Sequence, residues 1–322
     1  MVDRRLDPEL AAMFSMLQLD SCPLFDLNNL AAARAVMQNI ADAGKLNAPA
    51  PIGVVIDEVI VPATEDGPDV LLRITRPESC PSATPALLWF HGGGMVMGHA
   101  AQDDPLAARL ARTLNCRFIS VEYRLAPEHP FPAALHDGFA AYAWLVAHGD
   151  EIGVRQDQIA LGGFSAGGGL AAAVGLMARD RGLPMPLFQA LMAPMLDDRQ
   201  QTLSSQEDQY MGVWNRHANA LAWKAYLSTL EGNIPVYAAP ARSQKLAGLP
   251  PAFIAVGELD LFRDEALAYV QRLVAAGVPT EFHLYPGACH GFEGLNPEAS
   301  ISKSLDASWI AYMTRQFGLA RV

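Results

Sequence analysis

Residues 158–169 read QIALGGFSAGGG, and residues 170–182 continue LAAAVGLMARDRG. A short apolar run enters a cluster of glycines, one hydroxyl stands inside the cluster, and an alanine-rich run leaves it. The first run has the length of a buried strand and the last that of a helix, so the glycines mark a strand-to-helix turn and not a linker. Glycine suits such a turn because a Cβ would clash where the backbone reverses tightly. Residues 163–167 fit G-x-S-x-G, with Ser165 at the centre and Phe164 as the one bulky neighbour. The context predicts Ser165 at the carboxyl edge of a sheet and at the N-terminus of a helix, where developing negative charge is favoured. The alternative is a glycine-rich turn without chemistry.

Outward from this turn the chain alternates. Apolar runs read as strands at VVIDEVIV, VLLRIT, ALLWF, CRFISVEY, QIALGG, FQALMAP, PAFIAVGE and TEFHLY. Helical patterns lie between the later ones: DPLAARLART, FPAALHDGFAAYAWLVAHG, the run after Ser165, RDEALAYVQRLVAAG and finally SKSLDASWIAYMTRQFG. Alternation at these lengths predicts an α/β fold with a mostly parallel central sheet covered by helices on both faces. Two segments break the pattern. DPELAAMFSMLQL, with Pro8 at a helix start, and NNLAAARAVMQNIADAG, expected to stop at Gly44, precede a proline-rich break. Residues 197–240 read as a helical or irregular insertion over the sheet edge. The expected division is therefore N-terminal cap helices at 1–48, core at 49–196, cap insertion at 197–240, and core again at 241–322.

The chain has 322 residues, 51% hydrophobic and 18% charged, with a formal net charge of −11. That is enough to bury a large core. So acidic a chain repels phosphate backbones, which argues against a nucleic-acid partner. No apolar run has the length of a membrane span, and the N-terminus lacks the apolar stretch of a signal peptide. The four cysteines (Cys22, Cys80, Cys116 and Cys289) form no CxxC pair, so neither a zinc site nor a disulfide framework is expected, and a cytoplasmic location is. No metal and no cofactor are called for.

Three further stretches carry chemistry. LLWFHGGGMVMG at 87–98 runs a strand into His91 and three glycines. Bare amides in such a loop can face an oxyanion. Asp260 follows the strand PAFIAVGE, and His290 follows TEFHLY, in the chain order Ser, Asp, His. Both loops leave the carboxyl ends of strands, where open α/β sheets place their sites. Glu258 and Asp264 are rivals for the acid, although Asp264 is better explained as a helix cap. His283 is a rival base but lies inside a strand. The remaining histidines, His99, His129, His136, His148 and His217, read as surface or structural.

Together HGGG, YRLAPEHPFPAAL, GFSAGGG, ELDLFRDE and CHGF resemble the bacterial hormone-sensitive-lipase-like carboxylesterases of the α/β-hydrolase superfamily, from about residue 52 to the C-terminus. The resemblance implies an α/β-hydrolase fold with a helical cap and cofactor-free hydrolysis of short- to medium-chain acyl esters. It puts Ser165, Asp260 and His290 at the catalytic positions and Gly93, Gly94 and Ala166 at the oxyanion hole. It gives YRLAPEHPFPAALHD a structural role near the site, where the prolines and an arginine–glutamate pair suit a rigid loop. Phe164 departs from the family, whose members usually carry a small or polar residue there. It is expected to pack beneath the turn or to narrow the pocket.

The residue types imply a mechanism in which His290 takes the Ser165 proton, Asp260 orients the imidazole, and backbone amides hold the oxyanion. Met95, Met97, Met211 and Trp214 are candidates to line an apolar pocket beside Phe164, with Phe14 and Leu17 from the first helix. Cys289 reads as a small loop-filling side chain. The partner is a small-molecule ester, and a homodimer is possible. An amidase or acyltransferase with the same residues, or a binding protein on the same scaffold, are the alternatives.

Overall fold

The computed structural model describes residues 5–19, 22–47, 53–64, 67–207 and 212–319. Each of the eight apolar runs is a strand: β1 (Val54–Val61), β2 (Val70–Pro77), β3 (Thr84–Phe90), β4 (Arg117–Glu122), β5 (Val154–Phe164), β6 (Gln189–Met192), β7 (Ala252–Gly257) and β8 (Thr280–Tyr285). They form one sheet in the order β1-β2-β4-β3-β5-β6-β7-β8. β2 runs antiparallel to β1 and β4, and every other neighbouring pair is parallel.

Along the central strands both faces are apolar because both are covered. Leu88, Phe90, Leu161, Ile254 and Val256 point into one core; Leu87, Trp89, Ala160, Phe253 and Ala255 point into the other. The first core includes residues of α4 (Ala133–His148) and α5 (Ala166–Asp180). The second includes residues of α3 (Asp104–Leu114) and α10 (Ser300–Gln316). The period-2 alternation of a strand thus divides one apolar run between two helical layers.

The remaining helices are α1 (Pro8–Met16), α2 (Leu30–Asn47), α6 (Leu203–Gln206), α7 (Arg216–Tyr226), α8 (Arg263–Ala275) and α9 (Phe292–Leu295). The N-terminal segment and the insertion touch. Leu24 N donates to Gly212 O at 3.1 Å, and His217 Nε2 lies 3.0 Å from Asn28 Oδ1. Among the described residues no helix is long and apolar enough to cross a membrane.

Three local expectations are corrected. Helix α2 passes through Gly44 and ends at Asn47; an interior glycine costs a helix about 1 kcal/mol and does not by itself terminate it. Asp264 does not cap α8. The helix starts earlier because Asp260 Oδ1 accepts the Phe262 amide at 2.9 Å, and Asp264 instead accepts from Ser204 N at 2.8 Å, docking α6 on α8. Arg124 and Glu128 do not pair with each other. Arg124 N, Nε and Nη2 all donate to the buried Asp137 of α4, the shortest at 2.7 Å, while Glu128 pairs with Arg34 of α2. Each partner is brought in by the tertiary fold, so local spacing gave no sign of it.

Asp137 is 2% exposed, so removing it strands a guanidinium in the protein. Asp137→Ala should destabilise the fold by about 3–5 kcal/mol, read as a lower urea midpoint at unchanged slope. A loss below about 1 kcal/mol would mean that the pair is solvated in the folded state.

Candidate active site

The strand-to-helix turn after β5 is as tight as the glycines predict. A Cβ on Gly163 would lie 2.2 Å from Gly167 O, and one on Gly167 would lie 1.9 Å from Phe90 O. Ser165 has φ 57° and ψ −120°, a conformation L-residues rarely adopt. The neighbouring backbone holds it there: Ser165 N donates to Met192 O at 2.8 Å, and Ser165 O accepts from Gly169 N and Met195 N at 3.1 and 3.0 Å. A strained residue persists only where its surroundings over-determine it.

The loops after β7 and β8 are laced together. Glu258 N donates to Tyr285 O and Leu259 N to Ala288 O, both at 2.8 Å. This lacing brings Asp260 and His290 side by side. His290 Nδ1 lies 2.7 Å from Asp260 Oδ2, and His290 Nε2 lies 3.0 Å from Ser165 Oγ. A carboxylate only accepts, so Nδ1 carries the proton and Nε2 is left to accept from the serine hydroxyl. Ser165, Asp260 and His290 are 2%, 2% and 5% exposed. The rivals lie elsewhere. Glu258 Oε2 accepts from Gly287 N at 3.0 Å and braces the histidine loop. His283 sits in β8 beside Glu281.

The loop after β3 folds back on itself, with Val96 N and Met97 N both donating to Gly93 O. Gly93 and Gly94 have φ of +131° and +63°. A Cβ on Gly93 would fall 2.0 Å from Met97 O, and one on Gly94 would fall 2.4 Å from Trp214 Cη2. Among the described residues nothing accepts a backbone hydrogen bond from the amides of Gly93, Gly94 or Ala166. His91 is buried at the loop entrance, its ring stacked on Tyr123 at 4.1 Å. Burial lowers its pKa to about 4, so it stays neutral there. Its Nδ1 lies 2.8 Å from Gly92 O, and Tyr123 Oη donates to His91 O at 2.7 Å.

Of the expected pocket residues, Trp214 lies against Gly94, and its Nε1 donates to Asn219 Oδ1 at 3.2 Å. Met95 and Met97 are buried, in the same core cluster as residues of α4 and α5 and of the N-terminal segment. Phe14 packs against Gly212, Leu17 is 45% exposed, and Met211 lies outside the described residues. Phe164 does more than pack beneath the turn. Its ring stacks on His290 with centroids 5.0 Å apart, while Phe262 meets the same imidazole edge-on at 5.2 Å. Phe262 was not singled out in the sequence; its place two residues after Asp260 was the available signal. Cys289 is buried, and burial, with Asp260 and Glu293 nearby, drives its thiol well above the ordinary range, which makes it a poor nucleophile. Glu293, one turn beyond His290, is a half-buried carboxyl that the sequence reading also passed over.

A mostly parallel sheet with a glycine-flanked serine after a central strand, then an aspartate and a histidine after two later strands, defines the α/β-hydrolase class. A family model described as alpha/beta hydrolase fold matches residues 87–294. Esterase LipI of Mycobacterium tuberculosis is 39% identical over 240 residues, 73% of this chain and 75% of that one. Carboxylic ester hydrolase LipN of the same organism is 35% identical over 307 residues, 90% of this chain and 77% of that one. A solved structure of a bacterial heroin esterase superposes with a TM-score of 0.93 at 38% identity, covering 98% of this chain and 99% of that one. The chain belongs to the hormone-sensitive-lipase-like bacterial carboxylesterases of the α/β-hydrolase superfamily.

Two outcomes follow from the surroundings of His290. Phe164→Leu removes a ring contact worth about 0.5–1.5 kcal/mol and should lower kcat/KM on a simple ester about 2- to 10-fold; an unchanged value would make the stack incidental. Burial pushes the Glu293 carboxyl from 4.5 up to about 7, with Asp260 and Asp306 adding to the rise. Between these values the folded state holds a proton that the unfolded chain has released, so this group's contribution to stability falls as pH rises through that window. Glu293→Gln should flatten that part of the profile, measured as melting temperature from pH 4.5 to 8.

Proposed function

We propose that the chain hydrolyses short- to medium-chain acyl esters through Ser165, His290 and Asp260 and an acyl-enzyme intermediate. That it is a carboxylic ester hydrolase follows from its family and the esterases it resembles. The observation that carries the finer reading is the hydrogen-bonded series Asp260–His290–Ser165, at 2.7 and 3.0 Å, next to the glycine loop whose Gly92 lies against Phe164.

His290 Nε2 takes the Ser165 proton as Oγ attacks the ester carbonyl. The imidazolium that forms is held by Asp260 and lies against the Phe164 ring. The carbonyl oxygen becomes an oxyanion and accepts from the amides of Gly93, Gly94 and Ala166. His290 then gives its proton to the leaving alkoxide, freeing the alcohol. Water, deprotonated by the same nitrogen, attacks the acyl-serine, and the acid leaves as Ser165 regains its proton. The preference for shorter chains is supported by Trp214 pressed on Gly94 and by Phe164 filling the space beside His290. In this reading residues 1–48 and 197–240 are a cap over a core of 49–196 and 241–322. The acidic charge and dispersed cysteines favour a cytoplasmic location.

The test is hydrolysis of p-nitrophenyl esters from acetyl to palmitoyl. Ser165→Ala and His290→Ala should each lose about 10⁶ in kcat, and Asp260→Asn about 10⁴. A folded wild type inactive on every chain length, or an active Ser165→Ala, sinks the proposal.

A further inference from the structure

The turn bearing Gly93 and Gly94 has three consecutive residues at positive φ: Gly93 at +131°, Gly94 at +63° and Met95 at +64°. Such a turn needs anchoring from outside to keep one shape. Two of its carbonyls supply the anchor points. Met95 O accepts from Ala126 N at 2.9 Å, and Val96 O accepts from Arg34 Nε at 2.8 Å. Arg34 lies 62 residues away in sequence from Val96, on α2 of the N-terminal segment.

The same guanidinium also reaches the second anchor. Its Nη2 donates to Ala126 O at 3.0 Å, while Nη1 and Nη2 each lie 2.7 Å from a different oxygen of Glu128. One rigid plate therefore joins the glycine turn, the residue that braces it, and a carboxylate that fixes the plate's orientation. Only arginine has donors in this fork geometry. Its hydrogen bond holds the Glu128 carboxyl down to about 2, so the pair stays charged at any assay pH. The insertion presses the same turn from another side, with Trp214 Cη2 and Ala222 Cβ within 2.4 and 3.2 Å of where a Cβ on Gly94 would sit.

We propose that Arg34 is a positioning residue for the oxyanion hole: through its bonds to Val96, Ala126 and Glu128, the N-terminal cap helix holds the amides of Gly93 and Gly94 in their working geometry. This rests on reading those amides as oxyanion donors. Shaping the turn matters more to the tetrahedral state than to bound ester, because only the former carries a full negative charge on that oxygen.

The experiment compares wild type, Arg34→Lys and Arg34→Gln by kcat, by KM, and by the ratio of inhibition constants for an alkyl trifluoromethyl ketone and the matching methyl ketone. The trifluoromethyl ketone forms a tetrahedral adduct with the serine; the methyl ketone mimics bound substrate. Arg34→Gln should lower kcat about 10- to 100-fold, since a misplacement of about 1 Å can cost 10². KM should stay within about threefold, and the preference for the trifluoromethyl ketone should shrink by the same factor as kcat. Arg34→Lys should fall in between. If Arg34→Gln does not fold, Glu128→Gln is read the same way and should move both quantities in the same direction. A variant that keeps the wild-type preference, or loses affinity for both ketones equally, overturns the proposal. A wild type with no preference for the trifluoromethyl ketone overturns the oxyanion reading and takes this inference with it.

Discussion

Between Gly163 and Gly167 the backbone passes from β5 to α5 with no room for a side chain at either flank, and the rest of the site depends on this contact. The first turn of α5 sits directly on the end of β3, so close that Gly167 touches the Phe90 carbonyl. The same approach brings Ser165 beside the loop that follows β3. A Cβ at either glycine would force the helix away from the strand, and the hydroxyl would move with it. The strain of Ser165 is offset by three backbone hydrogen bonds, to Met192 at the end of β6, from Met195 in the loop that follows, and from Gly169 of α5.

A second close approach sets the other half. Gly257, at the end of β7, lies against the backbone of Ala288, where a Cβ would meet the carbonyl oxygen at 2.3 Å. The amides of Glu258 and Leu259 then donate to the carbonyls of Tyr285 and Ala288, and Asp260 and His290 come within 2.7 Å of each other. Two phenyl rings enclose the imidazole, one on its face and one at its edge. Phe164 therefore does more than fill space under the turn: its ring lies on the imidazole of His290.

Buried charge does structural work around this centre. Asp137 gathers three donors of Arg124. Glu265, buried beneath β6, accepts the amides of Leu196 and Asp197 at 2.6 and 3.2 Å. Burial drives its carboxyl well above the usual range, so those amides hold a group that is reluctant to ionise. Such groups persist where each has partners, because an unpartnered buried charge costs several kcal/mol.

The sequence by itself determined the strands, the turn after β5 and the chain order of Ser165, Asp260 and His290. Period, length and glycine placement are local properties, readable in a window of about ten to twenty residues. All eight strands were legible on that basis, whereas Asp260 and His290 were singled out by their motifs and by their places after two strands. Partnerships between distant segments were not. Arg124 looked paired with Glu128 four residues on, yet each found a different helix; Asp264 looked like a cap and docks a neighbour; Phe262 stands two residues after Asp260, but nothing local shows that its ring meets the imidazole edge-on. Only the tertiary structure decided these, because a side chain's partner depends on which elements pack against it, and that packing is fixed by the whole sheet and its two cores together.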